Sequence, residues 1–220
     1  MDALLRRRQM MASGGVSPTP SPVFYDRLVF DGTAYIDTNI VPPTDASFRV
    51  ILGNETTKAT QRVFMLKAGT SDSIGTIYNS STTSTNRVIA VYYGSSSALL
   101  AKQLAFSTSS YSFFLTPNRM GYGNTSFTIT KGASTPAGGI VIGYNTSHTG
   151  QAYTGRMGTF RIYGSDAQNV TKDSEFSSYT PVYTLRPCTY NGEAGLWCVE
   201  TSTFYGNTAG SGTLTAINNS

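Results

Sequence analysis

From Val23 onward, apolar and polar residues alternate with a period of two or gather in short aromatic-aliphatic runs ended by turn residues, and no helical periodicity lasts for several turns. Successive side chains of a strand point to opposite faces, so this pattern predicts strands. They are expected near Phe24–Phe30, Tyr35–Asp37, Phe48–Leu52, Arg62–Leu66, Ile74–Tyr78, Arg87–Tyr93, Tyr111–Leu115, Arg119–Tyr122, Ser126–Thr130, Ile140–Tyr144, Gly158–Tyr163, Tyr183–Arg186 and Leu196–Val199. So many short strands point to an all-β chain with two sheets packed face to face. In Arg87–Tyr93 (RVIAVYY), Val88, Ala90 and Tyr92 face one way and Ile89, Val91 and Tyr93 the other. A strand apolar on both sides lies inside a packed sheet or beneath a partner. In Met157–Tyr163 (MGTFRIY), alternation puts Met157, Thr159, Arg161 and Tyr163 on one face, with Phe160 and Ile162 on the other. The one helix candidate, Ala167–Tyr179, has poor apolar spacing.

The breaks between strands have local causes. Asp31-Gly32 and Asn191-Gly192 are tight-turn dipeptides because Gly and Asn tolerate positive φ, and Pro42-Pro43 stops the strand before it. Asn79–Asn86 (NSSTTSTN) is uniformly polar and is expected to be an exposed, mobile loop. Ahead of the strands, residues 1–12 (MDALLRRRQMMA) could form a short helix with Leu4, Leu5 and Met11 on one side, too short to be stable alone in water. Residues 13–22 (SGGVSPTPSP) form an extended, semi-rigid spacer. The expected organisation is a tail at 1–12, a spacer at 13–22 and one domain at 23–220.

Composition supports this reading. Of 220 residues only 13% are charged, while 22 are Gly and 14 are Tyr, which excludes a helical bundle. The formal net charge is +4, but Arg6, Arg7 and Arg8 concentrate three positive charges in the tail, and the body has too little excess for a nucleic-acid surface. No apolar run approaches the roughly 20 residues that span a bilayer, so no membrane partner is expected. Leu4-Leu5 is followed at once by three arginines, unlike the apolar stretch of about 7 to 15 residues in a secretory leader. Synthesis in a cytoplasm is therefore expected.

Candidate chemistry is sparse. His148, in the polar run NTSHTG, is the one histidine, and zinc sites need three or four N, S or O ligands. The 12 carboxylates are scattered. Asp173-Ser-Glu175 has the spacing of a glycosidase pair, but its flanks suggest a cap or surface role. Gly121-Tyr-Gly123 and Gly138-Gly139 match no nucleotide-binding loop. No catalytic residue, metal site or cofactor is expected. Cys188 and Cys198 flank a turn, and whether they face each other depends on strand register; in a cytoplasmic protein two buried free thiols are the expectation. The tyrosines suit strand cores or subunit contacts by default. The alternative is a sugar-stacking face to which Tyr92, Tyr93, Tyr122, Tyr144 or Tyr153 would contribute.

Two segments carry a resemblance. Phe30–Ile40 (FDGTAYIDTNI) resembles the "GTQYIDTGI" opening of a group of concanavalin A-like (laminin-G-like) jelly-roll domains. GRMGTFRIYG from Gly155, then LRPCTYNGEAGLWCVETSTFYGNTAGSGTLTA ending at Ala216, is similar to the closing motif of the same domains. Pro187, Cys188, Gly192, Glu193, Gly195, Leu196, Phe204, Tyr205, Asn207 and Gly212 fall in order, whereas Cys198 stands where the pattern has Asp. The resemblance implies a two-sheet antiparallel jelly-roll sandwich with an extended or short-helical N-terminal tail. It also implies a setting, since such domains recur in virion proteins of gut bacteriophages and in bacterial surface proteins.

The expected function is accordingly that of a non-enzymatic phage structural protein, a head fibre or capsid decoration protein on the capsid surface, made in the host cytoplasm and homo-oligomeric, as a trimer in many such appendages. Leu4, Leu5, Arg6, Arg7, Arg8 and Met11 would dock it to the major capsid protein or another virion protein. The alternative is a carbohydrate-binding adhesin or receptor-binding module, on a phage fibre or bacterial surface, that contacts a host glycan.

Overall fold

A computed structural model describes residues 20–53, 60–66, 77–80, 86–95, 98–105, 110–133, 138–143 and 152–219. The expected docking residues Leu4, Leu5, Arg6, Arg7, Arg8 and Met11, along with Tyr144 and His148, lie outside these. In chain order the strands are β1 (Val23–Phe24), β2 (Arg27–Asp31), β3 (Ile36–Asp37), β4 (Ser47–Gly53), β5 (Thr60–Leu66), β6 (Ile77–Ser80), β7 (Asn86–Val91), β8 (Leu100–Ala105), β9 (Tyr111–Leu115), β10 (Arg119–Tyr122), β11 (Thr125–Thr128), β12 (Ile140–Ile142), β13 (Thr154–Tyr163), β14 (Tyr183–Tyr190), β15 (Glu193–Cys198), β16 (Thr203–Tyr205) and β17 (Leu214–Ile217). The helix candidate Ala167–Tyr179 is instead two 3-10 turns, Ser165–Ala167 and Asp173–Ser178. Only Ala167, Val170 and Phe176 of this stretch are buried apolar residues, too few for an amphipathic helix face.

The strands form a two-sheet antiparallel jelly-roll sandwich. The larger sheet runs β11-β10-β9-β4-β13-β14-β15-β16, with β2 also on β13, β17 on β2 and β1 on β14; the smaller runs β3-β12-β5-β6-β7-β8. Phe48 of β4 and Phe160 of β13 meet Phe64 of β5 across the gap, with ring centroids 5.3 and 5.0 Å away. All three rings are at most 1% exposed, and burial of each contributes about 1.5 to 3 kcal/mol. Ile89, Val91 and Tyr93 join this core, as alternation in RVIAVYY predicts.

Alternation misplaces Met157. The pairing of β13 with β4 shifts register between Met157 and Phe160, so a bulge turns both residues into the core while Arg161 and Tyr163 keep the opposite face. The polar run after Tyr78 is also more regular than expected: Asn79 and Ser80 pair with Ile89 and Val88, and residues 81–85 lie outside the described residues. Strand β8 (LAKQLA) was not legible because its residues are good helix formers, and its partner β7 makes it a strand.

The β14–β15 hairpin settles the cysteines. Asn191 and Gly192 both have positive φ, 52° and 82°, as a two-residue turn between paired strands requires. Cys188 is opposite Gly195 and Cys198 opposite Leu185. Leu185 and Cys188 are an odd number of residues apart on one strand, so the two sulfurs leave opposite faces of the sheet. Both thiols are free and buried, and burial pushes that of Cys188 up to about 11.

The two family-like segments, far apart in sequence, meet where β2 pairs with β17. Asp31 Oδ1 accepts from Thr33 N at 2.9 Å, Thr33 Oγ1 at 2.8 Å and Ala34 N at 3.0 Å, while Oδ2 accepts from Thr213 N. Asn207 Oδ1 accepts from Tyr35 N and Ala209 N, and its Nδ2 donates to the carbonyls of Ser211 and Gly212. Gly212 has φ of 77°, and a Cβ there would lie 2.1 Å from Thr33 Oγ1, so glycine is required.

Partial burial works against the Asp31 charge, but the hydrogen bonds from Ala34, Thr33 and Thr213 outweigh it and hold the carboxyl below its usual range. The stability it contributes is complete above the ordinary carboxylate pKa of about 4 and lost as pH falls through the lowered folded value. Asp31→Ala should cost about 1 to 2 kcal/mol, since the site is open to water, and lower the melting temperature by about 3 to 6 °C at pH 7. Thermal denaturation should show the gap to the unmutated protein narrowing below about pH 4.

Candidate functional site

The sandwich spends its inner faces on the core, leaving the outer face of the larger sheet to carry polar groups. In β4, Phe48, Val50 and Leu52 turn inward, which puts Arg49 outside; in β9, Phe113 and Leu115 turn inward, which puts Ser112 and Phe114 outside. Register then makes a row across the sheet: Phe114 is opposite Arg49, and Arg49 opposite Arg161. After Tyr163 the chain crosses this outer face through the two 3-10 turns before entering β14. Phe176 packs there on Phe114 and Tyr163, with centroid distances of 5.6 and 4.7 Å.

Asp173, at the start of the second turn, fastens this crossing. Arg49 donates from Nε to Oδ1 at 2.6 Å and from Nη2 to Oδ2 at 2.7 Å, and Ser112 Oγ also donates to Oδ1. The Asp173 backbone N donates to Gly123 O at 2.8 Å. Burial opposes the Asp173 charge, but the hydrogen bonds from Arg49 and Ser112 and the nearby charges of Arg49 and Arg161 hold its carboxyl below the usual range. Glu175 accepts from Thr171 N at 2.7 Å and from Thr171 Oγ1. Glu175 ties back Thr171 just ahead of the turn, whereas Asp173 is half-buried and tied to the sheet.

Between the crossing and the sheet lies a cleft of about 330 Å³, lined by Arg49, Arg161, Tyr163, Asp173, Ser174, Phe176, Ser177, Tyr179 and Pro181. Arg161 is half-buried, and among the described residues it makes no hydrogen bond or ion pair. Tyr179 is half-buried, and Ser174 and Ser177 are exposed. Ser177 Oγ donates to Ser174 O at 2.8 Å, so the cleft combines ring surface with the Ser174 hydroxyl, free among the described residues, and the Arg161 guanidinium, the makings of a small-ligand site. Among the described residues no group of three or more His, Cys, Asp or Glu is placed to hold a metal ion.

No family model matches the sequence, and no curated protein matches it. Among solved structures, the chain is similar to a native heptameric SAP-like pentraxin from Limulus polyphemus, with 10% identity over 62% of this chain and 75% of that one, and a TM-score of 0.50. It is also similar to a protein from Bacteroides ovatus ATCC 8483 provisionally named for carbohydrate binding, with 10% identity over 90% of this chain and a TM-score of 0.54. The match spans 62% of that protein, under two thirds of its length. The likeness is one of fold.

Two of the tyrosines of the alternative sugar-stacking face, Tyr93 and Tyr153, are buried in the core. Tyr93 is 2% exposed and donates its hydroxyl to Ala46 O at 2.7 Å; Tyr153 is 1% exposed and donates to Gly53 O and Arg156 O. Both rings close the core and present no face to a glycan. Tyr92 follows β7 of the smaller sheet and Tyr122 ends β10 of the larger, both half-buried and in different sheets. The aromatic surface lies elsewhere. Tyr190, Trp197 and Phe204 gather on the outer face of β14, β15 and β16, and Arg186 covers Phe24 at 4.0 Å. Trp197 and Phe204 are tilted by 47° and 37° from Tyr190, so the three form a ridge and not a flat platform.

Alternation in MGTFRIY already placed Arg161 beside Tyr163. Arg49 could have been found the same way in FRVIL, but nothing local marks Asp173 as their partner. Asp173→Ala leaves a half-buried guanidinium unpaired and should cost about 2 kcal/mol, less than the 3 to 5 of a fully buried pair. Urea denaturation should show most of that loss recovered when Arg49→Met is added.

Proposed function

We propose that the protein is a non-enzymatic carbohydrate-binding module whose saccharide occupies the cleft beneath the 3-10 crossing. The observation that carries this reading is the cleft's composition: the Tyr179 ring beside the hydroxyls of Ser174 and Ser177 and a guanidinium with no partner of its own. Sugars present apolar C–H faces to aromatic rings and hydroxyls to polar groups, so such a mixture suits them. The fold by itself names no ligand, although the provisional name of the Bacteroides ovatus protein is in keeping with this one. Asp173 and Glu175, the pair with catalytic spacing, are both engaged in holding the crossing, which favours binding over hydrolysis. Homo-oligomerisation would multiply weak saccharide contacts.

A second reading concerns delivery. The basic peptide 1–12 and its Pro-rich spacer precede β1, whose Val23 is 57% exposed, so they join the body at its surface. A module attached through such a tail suits a head fibre or decoration protein on a phage capsid, with Arg6, Arg7 and Arg8 pairing with acidic groups of a virion protein.

Each reading has a direct test. On a glycan array the full chain should bind a subset of saccharides, and Tyr179→Ala should weaken that binding about tenfold, a loss of about 1.4 kcal/mol; failure to bind any saccharide would overturn the first reading. Removing residues 1–12 should abolish incorporation into particles in a phage complementation assay, and unchanged incorporation would remove the second.

A further inference from the structure

The geometry points to an acidic sugar, one bearing a ring carboxylate, as the ligand of this cleft, with Arg161 as the residue that selects it. The inference rests on the saccharide reading and names its ligand class. Arg161 stands directly opposite Arg49 in the β13–β4 pairing. Like charges directly opposite in a sheet are destabilising, and here one carboxylate lies beside both. Asp173 accepts two hydrogen bonds from Arg49 and one from Ser112, and none from Arg161. The cleft lining thus holds two guanidiniums against one carboxylate, leaving one positive charge without a counterion among the described residues.

Arg161 lends its charge to the Asp173 carboxylate but makes no hydrogen bond or ion pair among the described residues, while Arg49 and Ser112 fasten the crossing. A guanidinium offers a rigid fork that matches a carboxylate in two parallel hydrogen bonds, and it is only weakly hydrated, so it suits a partly enclosed site. With a carboxylate on that fork, the sugar ring has the Tyr179 face and the hydroxyls of Ser174 and Ser177 within the same cleft. The volume of about 330 Å³ is at the small end for ligand sites and suits a terminal or single residue over a long chain. One negative charge on the ligand completes the balance that Asp173 leaves open.

Isothermal titration of the full chain with a panel of hexuronate trisaccharides, each paired with its carboxyl-reduced neutral counterpart, tests the inference. The acidic members should bind at least tenfold more tightly than their neutral counterparts, with an affinity that falls as salt rises. Arg161→Gln should remove that preference without lowering the melting temperature, and Arg161→Lys should retain an intermediate part of it, because an ammonium keeps the charge but lacks the fork. Equal affinity for acidic and reduced sugars, or acidic binding unchanged in Arg161→Gln, would overturn the inference. If neutral sugars alone bind and Tyr179→Ala abolishes that binding, the acidic selection fails and the saccharide reading stands. If no member of either series binds, the acidic selection falls, and the glycan array alone decides the saccharide reading.

Discussion

Asp31 accepts hydrogen bonds from its own turn and from Thr213, which is 182 residues further along the chain. That one carboxylate ties β2 to β17, the last strand of the larger sheet, and much follows from it. With β2 held against β17, Leu28 and Phe30 enter the core, and β2 pairs with the Thr154–Met157 stretch of β13 that β14 leaves free. Asn207 repeats the device one turn away, reading the backbone of Tyr35 on one side and of Ser211 and Gly212 on the other. Joining distant chain segments costs entropy, and charge-assisted bonds are strong enough to offset it locally. The residues that make the two ends look familiar are therefore closure residues.

The outer face is governed by a different constraint. A sandwich satisfies its apolar residues between the sheets, so what lies outside must be either solvated or covered by chain. Here the segment after β13 covers part of the face, and Asp173 anchors it to Arg49 and Ser112 while Phe176 packs on Phe114 and Tyr163. The crossing binds Arg49 through Asp173 and leaves Arg161 without a hydrogen bond among the described residues. The cleft is the space left over, and its positive charge is the part of the Arg49–Arg161 pair that Asp173 does not neutralise.

Closure and the cleft are thus carried by largely different residues. Resemblance to a known domain group led to Asp31, Asn207 and Gly212, whose work is structural. Of the cleft, only Arg161 and Tyr163 fall within the family-like segments; Arg49, Asp173 and Tyr179 lie outside them. Tyrosine content left Tyr93 and Tyr153 open to a core or a sugar-stacking role, and both hydroxyls close on backbone carbonyls inside the core. A tyrosine has an apolar body and a polar tip, and its sequence neighbours do not say which of the two is satisfied indoors.

Strand character, the turns at Asp31-Gly32 and Asn191-Gly192, the two-sheet architecture and the facing of Ile89, Val91, Phe160 and Ile162 were all determined by the sequence itself. Each rests on short-range physics, the period of two and the backbone freedom of Gly and Asn. The tertiary structure alone decided that Met157 turns inward at a bulge, that Cys188 and Cys198 leave opposite faces, and that Arg49 finds Asp173 across 124 residues. Those outcomes depend on which strands pair and in what register. Register is chosen by the packing of the whole core, which no local stretch of residues contains.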